Sequence, residues 1–384
     1  MNKSKNKRLF FLLVNPVILL WLVFFIQKHG SFSFLQGYYT SFEKINQVVN
    51  NQENKTPQEK SNKYLWIDTS DASRVSTPSG SSIANRQMIT DFISEIDKED
   101  SHKLIVSTLI FDTPTPDDSK LGKRLERFDK TIFRSANKTA LNNPEFRNLN
   151  YGTLSGRRFT KKSKLSGINL YKLDNSEVVS KSIPLLMYET INNKELSLTC
   201  DYFHFDNNKL FLKDFIPTRR ITENEILKIN LADTFSFLSN KENRTIFFQE
   251  YVKNRIVIIG NSDDVIKPIF YENPIPIAIY TLNVYESLEN KDNHLSLGLI
   301  IIIYLILLTF SRCLLPFKKN RFLNWISKMK IDNMIVDMIF GSVRLVLALV
   351  VVSLLLFLFT NVMLDFSIVA LVLLLERIII KEFT

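Results

Sequence analysis

Cysteine is nearly missing from this chain of 384 residues, which has two. Cys200 and Cys313 supply neither a disulfide framework nor a CxxC metal signature. Histidine is almost as scarce: His29, His102, His204 and His294 are the full set, and their spacing is not that of metal ligands. Glycine occupies 10 positions, and no GxSxG nucleophile motif occurs. Paired carboxylates can hydrolyse glycosides or hold metals for phosphoryl chemistry, but nothing in the sequence fixes their separation. The expectation is a protein without catalytic residues, metal or cofactor.

What the chain has in quantity is apolar sequence. Hydrophobic residues make up 45% of it and phenylalanine supplies 30 positions. Leu9 to Ile26 is apolar except for Asn15 and Pro16, which is close to the length of a membrane helix. The basic leader Lys3, Lys5, Lys7 and Arg8 also suits a signal peptide. However, Gln27-Lys28-His29-Gly30 offers no small-x-small cleavage site, so an uncleaved anchor is expected. Three more apolar runs follow, at 295–311, 343–360 and 366–380. The last carries Glu376 and Arg377, and adjacent opposite charges near an interface do not by themselves exclude a span. These segments contain almost no polar residues on which to build a transport path.

Orientation follows from the basic residues. They cluster in the N-terminal tail (1–8) and in the segment 312–342, where Asp332 and Asp337 oppose Arg312, Lys318, Lys319, Arg321, Lys328 and Lys330. Both segments are expected in the cytoplasm, together with the tail 381–384. A stalk (27–62) and a large domain (63–294) then fall outside it, and Cys200 and Cys313 cannot bond to each other. The two basic clusters account for most of the net charge of +10, leaving the outer domain nearly neutral. Nucleic acid is not expected as a partner.

Within the outer domain, Tyr64-Leu65-Trp66-Ile67-Asp68 reads as a strand, with Asp71, Ser73, Thr77, Pro78 and Gly80 marking the loop behind it. Met88, Ile89, Phe92, Ile93 and Ile96 recur at helical spacing between Asn85 and Ile96. Lys103 to Asp112 is a second strand, apolar enough to be covered on both faces as in a parallel sheet. Asp117 and Asp118 open a helix through Phe128. Further on, Gly167–Leu173 and Leu210–Leu212 read as strands, Ile183–Ile191 as a helix, and Asp233 as lying near the start of another. Asn254 to Asn261 is a buried strand, and Tyr280 to Leu288 a helix. Alternating strands and helices predict an α/β outer domain with a mixed, mainly parallel sheet and flanking helices, plus a helical transmembrane region of about four spans.

The order of these segments resembles the CHASE-2 domain, the second kind of cyclase and histidine-kinase associated sensory extracellular domain. Leu65-Trp66-Ile67-Asp68 with Asp71 and Ser73 is similar to that family's opening strand and acidic loop. Ile83-Ala84-Asn85-Arg86 resembles its Arg-led first helix. Leu109-Ile110-Phe111-Asp112 with Pro114, Pro116, Asp117 and Asp118 resembles its second strand and loop, and Ile256-Val257-Ile258-Ile259-Gly260 its closing strand. The chain departs where the family has an aspartate and a Thr-Pro pair, between Val265 and Asn273. It also has Ile277 where the family has the Gly of a Pro-Gly turn. Family members commonly continue into a cytoplasmic output domain, whereas this chain stops at Thr384.

The resemblance implies a sensor subunit of the bacterial inner membrane, with its domain outside the cytoplasm and its signal passed to a separate membrane or cytoplasmic protein. Ligands of open α/β sheets sit outside the carboxyl ends of the strands, which singles out Asp68, Asp71, Arg74, Asp112, Asp118 and Asn261 as a site for a cation or small polar effector. The plainer account is that aspartates there cap turns and helices. The basic segment, with Lys318, Lys319, Arg321, Trp325, Lys328 and Lys330, is a docking surface for a partner protein or for anionic membrane lipid. The competing class is a structural or assembly subunit of an envelope complex, and a homo-oligomer is compatible with either.

Overall fold

A computed structural model describes residues 2–29, most of 61–135 and 144–200, the strands between 203 and 215, and most of 221–314 and 334–382. The chain divides into two units. The greater part of the stalk expected over 27–62, and the basic segment from 315 to 333, lie outside the described residues.

One unit is built from α1 (Asn2–His29) and three C-terminal helices, here numbered α7 (Leu297–Leu314), α8 (Met334–Thr360) and α9 (Ser367–Glu382). An antiparallel meander of Ser197–Cys200, Phe203–Asp206 and Lys209–Leu212 belongs to it as well, and its last strand pairs with His294–Leu295. The helices coincide with the four apolar runs of the sequence. Even so, among the described residues no helix is long and apolar enough to cross a membrane, which overturns the expected region of four spans. The reason is the length of apolar helix set against the roughly 30 Å of bilayer hydrocarbon. The 16 residues of α9 rise about 24 Å and the 18 of α7 about 27 Å. In α8, Asp337 and Arg344 confine the uninterrupted apolar stretch to the C-terminal part, and α1 is polar at both ends.

The other unit is a three-layer α/β domain. Six strands, β1 (Ser61–Asp68), β2 (Leu104–Ile110), β3 (Thr131–Ser135), β4 (Tyr151–Thr153), β5 (Ile226–Asn230) and β6 (Ile256–Gly260), form one sheet in the order β5-β1-β6-β2-β3-β4. Every pairing in this sheet is parallel, so the sheet expected to be mainly parallel is wholly so at its centre. Its longer helices are α2 (Arg86–Glu99), α3 (Asp118–Leu125), α4 (Ile183–Asn192), α5 (Leu231–Ser239) and α6 (Ile277–Glu289), and a short one spans Lys241–Ile246.

Burial on both sides explains the near-continuous apolar strands. Leu65, Ile67, Ile105, Phe133, Val257 and Ile259 face a core completed by Ile89, Phe92, Ile93 and Ile96 of α2, Leu121 and Leu125 of α3, and the segment Phe247–Val252. By the two-residue alternation of a strand, Tyr64, Trp66, Val106, Ile256 and Ile258 point the other way, toward the layer of α4 and α6. Asn85 caps α2 by accepting a hydrogen bond from the Met88 amide at 3.2 Å. In the same way Ser182 caps α4, accepting from the Leu185 amide.

Close approaches fix three of the glycines, Gly122 against the Glu145 carbonyl, Gly152 and Gly260. A Cβ on Gly152 would lie 2.7 Å from the backbone of Ile183, and one on Gly260 would lie 2.3 Å from the Thr108 hydroxyl and 3.2 Å from Cβ of Ala278. Backbone cannot retreat as a hydroxyl can. Gly152→Ala is therefore expected to lower stability by about 2–3 kcal/mol and Gly260→Ala by about 1–2 kcal/mol, with Thr108→Ala partly rescuing only the second. Urea denaturation midpoints check the order and the rescue.

Candidate functional site

The carboxyl edge of the parallel sheet is where the candidate residues belong, and the topology there is uneven. The connection after β1 leads to α2 on one face, whereas β6, its neighbour, leads to α6 on the other. Adjacent strands whose connections diverge leave a crevice between their loops, the usual ligand position of open α/β sheets.

Asp68, the last residue of β1, lies at this divergence with its side chain 3% exposed. Its Oδ1 accepts from the amides of Ser70 and Ser262, each at 3.0 Å, so it joins the loop after β1 to the loop after β6. Its Oδ2 pairs with Lys228 Nζ of β5 at 2.8 Å. Lys228 is the register partner of Trp66 and holds its ammonium 4.4 Å from the centre of that indole ring. Burial by itself would raise the pKa of Asp68, but Lys228 and the two amide donors outweigh it and hold the carboxyl below its ordinary value.

A second buried pair lies across the same edge. Arg86, the first residue of α2, donates from Nη1 to both carboxylate oxygens of Asp118, at 2.8 and 2.7 Å, with side chains 5% and 3% exposed. The amide and hydroxyl of Thr115 also donate to Asp118. Here too burial pushes the carboxyl up while Arg86 and Thr115 pull it down, and the net direction is down. The guanidinium packs against Phe111 and Phe146, 5.3 and 5.5 Å from their ring centres, which are themselves in contact. A third pair, Arg134 of β3 with Asp264 at 2.8 Å, reaches across β2.

Of the residues singled out in the sequence, Asp68 and Asp118 are thus engaged within the domain. Asp71 is exposed and accepts from the Asn230 side chain at 3.0 Å, while the side chain of Asn261 caps its own turn by accepting from the Asp263 amide at 2.8 Å. Arg74 lies in a short strand, Arg74–Ser76, paired with Ser82–Ala84. Asp112 lies outside the described residues, as do Lys318, Lys319, Arg321, Trp325, Lys328 and Lys330. Lys228, Arg86 and Arg134 were not among the site residues chosen from the sequence. The signal for Lys228 is a lone cation in the apolar run Ile226-Leu227-Lys228-Ile229, and for Arg86 its place immediately after the helix cap. Among the described residues, no group of three or more His, Cys, Asp or Glu is placed to hold a metal ion. No protein family, curated protein or solved structure matches the chain.

Because the carboxyl of Asp68 titrates lower folded than unfolded, its contribution to stability is present above the ordinary carboxylate range and is lost as pH falls through the lowered folded value. Asp68→Asn is expected to cost about 1–3 kcal/mol at neutral pH, by leaving Lys228 without its partner. The gap between wild type and variant narrows as pH falls below the ordinary carboxylate range, and paired urea titrations at neutral and at acid pH measure it.

Proposed function

We propose that this chain is a sensor subunit held at a membrane lipid surface, whose α/β domain receives a small polar effector at its carboxyl edge and whose state is read by a separate signalling protein. The observation that carries the reading is the inverted polarity of the helical unit. Its outer surface is apolar: Phe359 is 83% exposed, Leu297 70% and Phe10 69%, and Leu13, Trp21, Ile301, Leu305, Leu347 and Leu371 are exposed with them. Its interior keeps polar groups, with Asn15 5% exposed and donating to Ser311 at 3.1 Å and to Glu376 at 3.0 Å. Ser353, fully buried, donates to the Leu364 carbonyl. Water favours the opposite arrangement, so an apolar surface on this scale calls for an apolar surrounding. Acyl chains supply one. The diverging connections at β1 and β6 support the receiving role, and the order of segments similar to the CHASE-2 domain supports a position outside the cytoplasm of a bacterium.

A second reading, an assembly subunit of an envelope complex, is favoured by the carboxylates of Asp68 and Asp118, which already accept donors from their own domain. A saturable thermal shift of the full chain with small solutes favours sensing. Capture of one stoichiometric partner without any shift favours assembly.

Flotation of the full chain with phosphatidylethanolamine and phosphatidylglycerol vesicles tests the lipid surface. Binding is expected to survive about 1 M salt, at which ionic attachment is screened. The double variant Ile301→Asp, Leu305→Asp is expected to reduce the floated fraction about tenfold or more, because each charge meets acyl chains. Protein that stays at the bottom of the gradient, or is released by salt, contradicts the proposal.

A further inference from the structure

A neutral imidazole buried away from water calls for one acceptor, and a charged imidazole calls for two. His102 has none in place. It is 4% exposed, both ring nitrogens are buried, and neither makes a hydrogen bond among the described residues. The Ile96 carbonyl faces the ring without meeting hydrogen-bond geometry. The charged groups around it are the carboxylates of Asp97 on α2 and of Asp100 just after that helix, and the ammonium of Lys130 ahead of β3. Asp100 is already taken, since Lys130 pairs with it at 2.6 Å. Burial above all, and then Lys130, hold the pKa of the imidazole below its ordinary value, against the opposite pull of Asp97 and Asp100.

The ring lies in the turn between α2 and β2, at the amino edge of the parallel sheet. Asp100 opens that turn in the left-handed region, with φ 41°. On either side of His102 the backbone is bonded to the segment that leads into β6: the Asn254 amide donates to the Ser101 carbonyl at 2.8 Å, and the Lys103 amide donates to the Arg255 carbonyl at 2.9 Å. These two bonds join the start of β2 to the start of β6, its neighbour in the sheet. We infer that His102 is an acid-triggered release, whose protonation opens the turn 100–103 and loosens the joint between the amino ends of β2 and β6. A charged ring is destabilised where neither nitrogen has an acceptor, so the turn yields until the ring reaches Asp97 or water. Because the imidazole titrates lower folded than unfolded, its contribution to stability is whole above the ordinary histidine value and is lost as pH falls below it toward the lowered folded one. The proton is then an input of its own, and the inference does not depend on the carboxyl edge receiving a ligand.

Hydrogen–deuterium exchange of the full chain in detergent, read by mass spectrometry, tests this in two ways. Exchange at the imidazole C2 carbon follows the titration of the ring itself, and for His102 the midpoint is expected below the ordinary value of about 6.5. Amide exchange over 97–107, corrected for its intrinsic dependence on pH, is expected to speed up about threefold or more between about pH 7.5 and about pH 5.5. With His102→Gln, which is neutral throughout, that response is expected to disappear. Asp97 is held above its ordinary value by burial and by Asp100 and Asp129, which makes it the other group that could answer to acid. Asp97→Asn is therefore measured alongside and is expected to keep the response. The inference is overturned if the C2 midpoint of His102 lies at or above about 6.5, or if the wild type shows no amide response. It is overturned equally if the response survives in His102→Gln or vanishes in Asp97→Asn. Should His102→Gln fail to fold, the C2 midpoint and the amide response of the wild type and of Asp97→Asn decide the matter.

Discussion

One buried carboxylate holds the carboxyl edge of this domain in register. Asp68 is bonded to the loop behind its own strand, to the loop behind β6 and to a lysine on β5, so three strands that are neighbours in the sheet but distant in the chain are fixed to each other at a single point. The arrangement works because each partner supplies a donor and none competes: two amides lie in loops that are otherwise turning away, and an ammonium rests over Trp66. The loops on this edge can part to opposite faces of the sheet because their roots are tied.

Much of this was readable beforehand, and the rest was not for identifiable reasons. Strands β1, β2 and β6 stand out because both faces are covered, which makes Leu104 to Ile110 and Ile256 to Gly260 almost uniformly apolar. The helix α2 shows itself by spacing and by the Asn85 cap. By contrast β3, β4 and β5 carry little signal. The three residues Tyr151–Thr153 are too few to show alternation, and Ile226–Asn230 is an edge strand, half exposed, with polar residues interleaved. Asp68 was legible as an acid at a strand end, but its partner Lys228 sits far along the chain on a strand without a pattern. The apolar runs of the helical unit were equally plain. Composition marked where they lie, but the short rise of α7 and α9, the charges in α8 and the polar ends of α1 leave each short of a span.

The two units solve the problem of polar groups in opposite ways. In the α/β domain the buried charges meet partners at the sheet's rim, where Arg86 with Asp118 and Asp68 with Lys228 are each boxed by aromatic rings or amides. Inside the helical unit there is no rim to use, so Asn15 on α1 bonds at once to Ser311 on α7 and Glu376 on α9, and ties three helices together through one amide. Such a bond matters most where the surroundings offer no competing water, which is the environment that the outer surface of this unit favours.

The strand order has a consequence for how the molecule is made. Strand β3 pairs with β2 and β4 with β3, and this half of the sheet can assemble as it is synthesised. The opening strand cannot. Its neighbours in the sheet are β5 and β6, which are synthesised after the other strands of that sheet, so an apolar segment with Tyr64, Leu65, Trp66 and Ile67 must wait with its edges open until most of the domain exists. Closing so long a loop makes the final insertion slow, and it makes the newborn chain a natural client for a chaperone that shields extended hydrophobic segments.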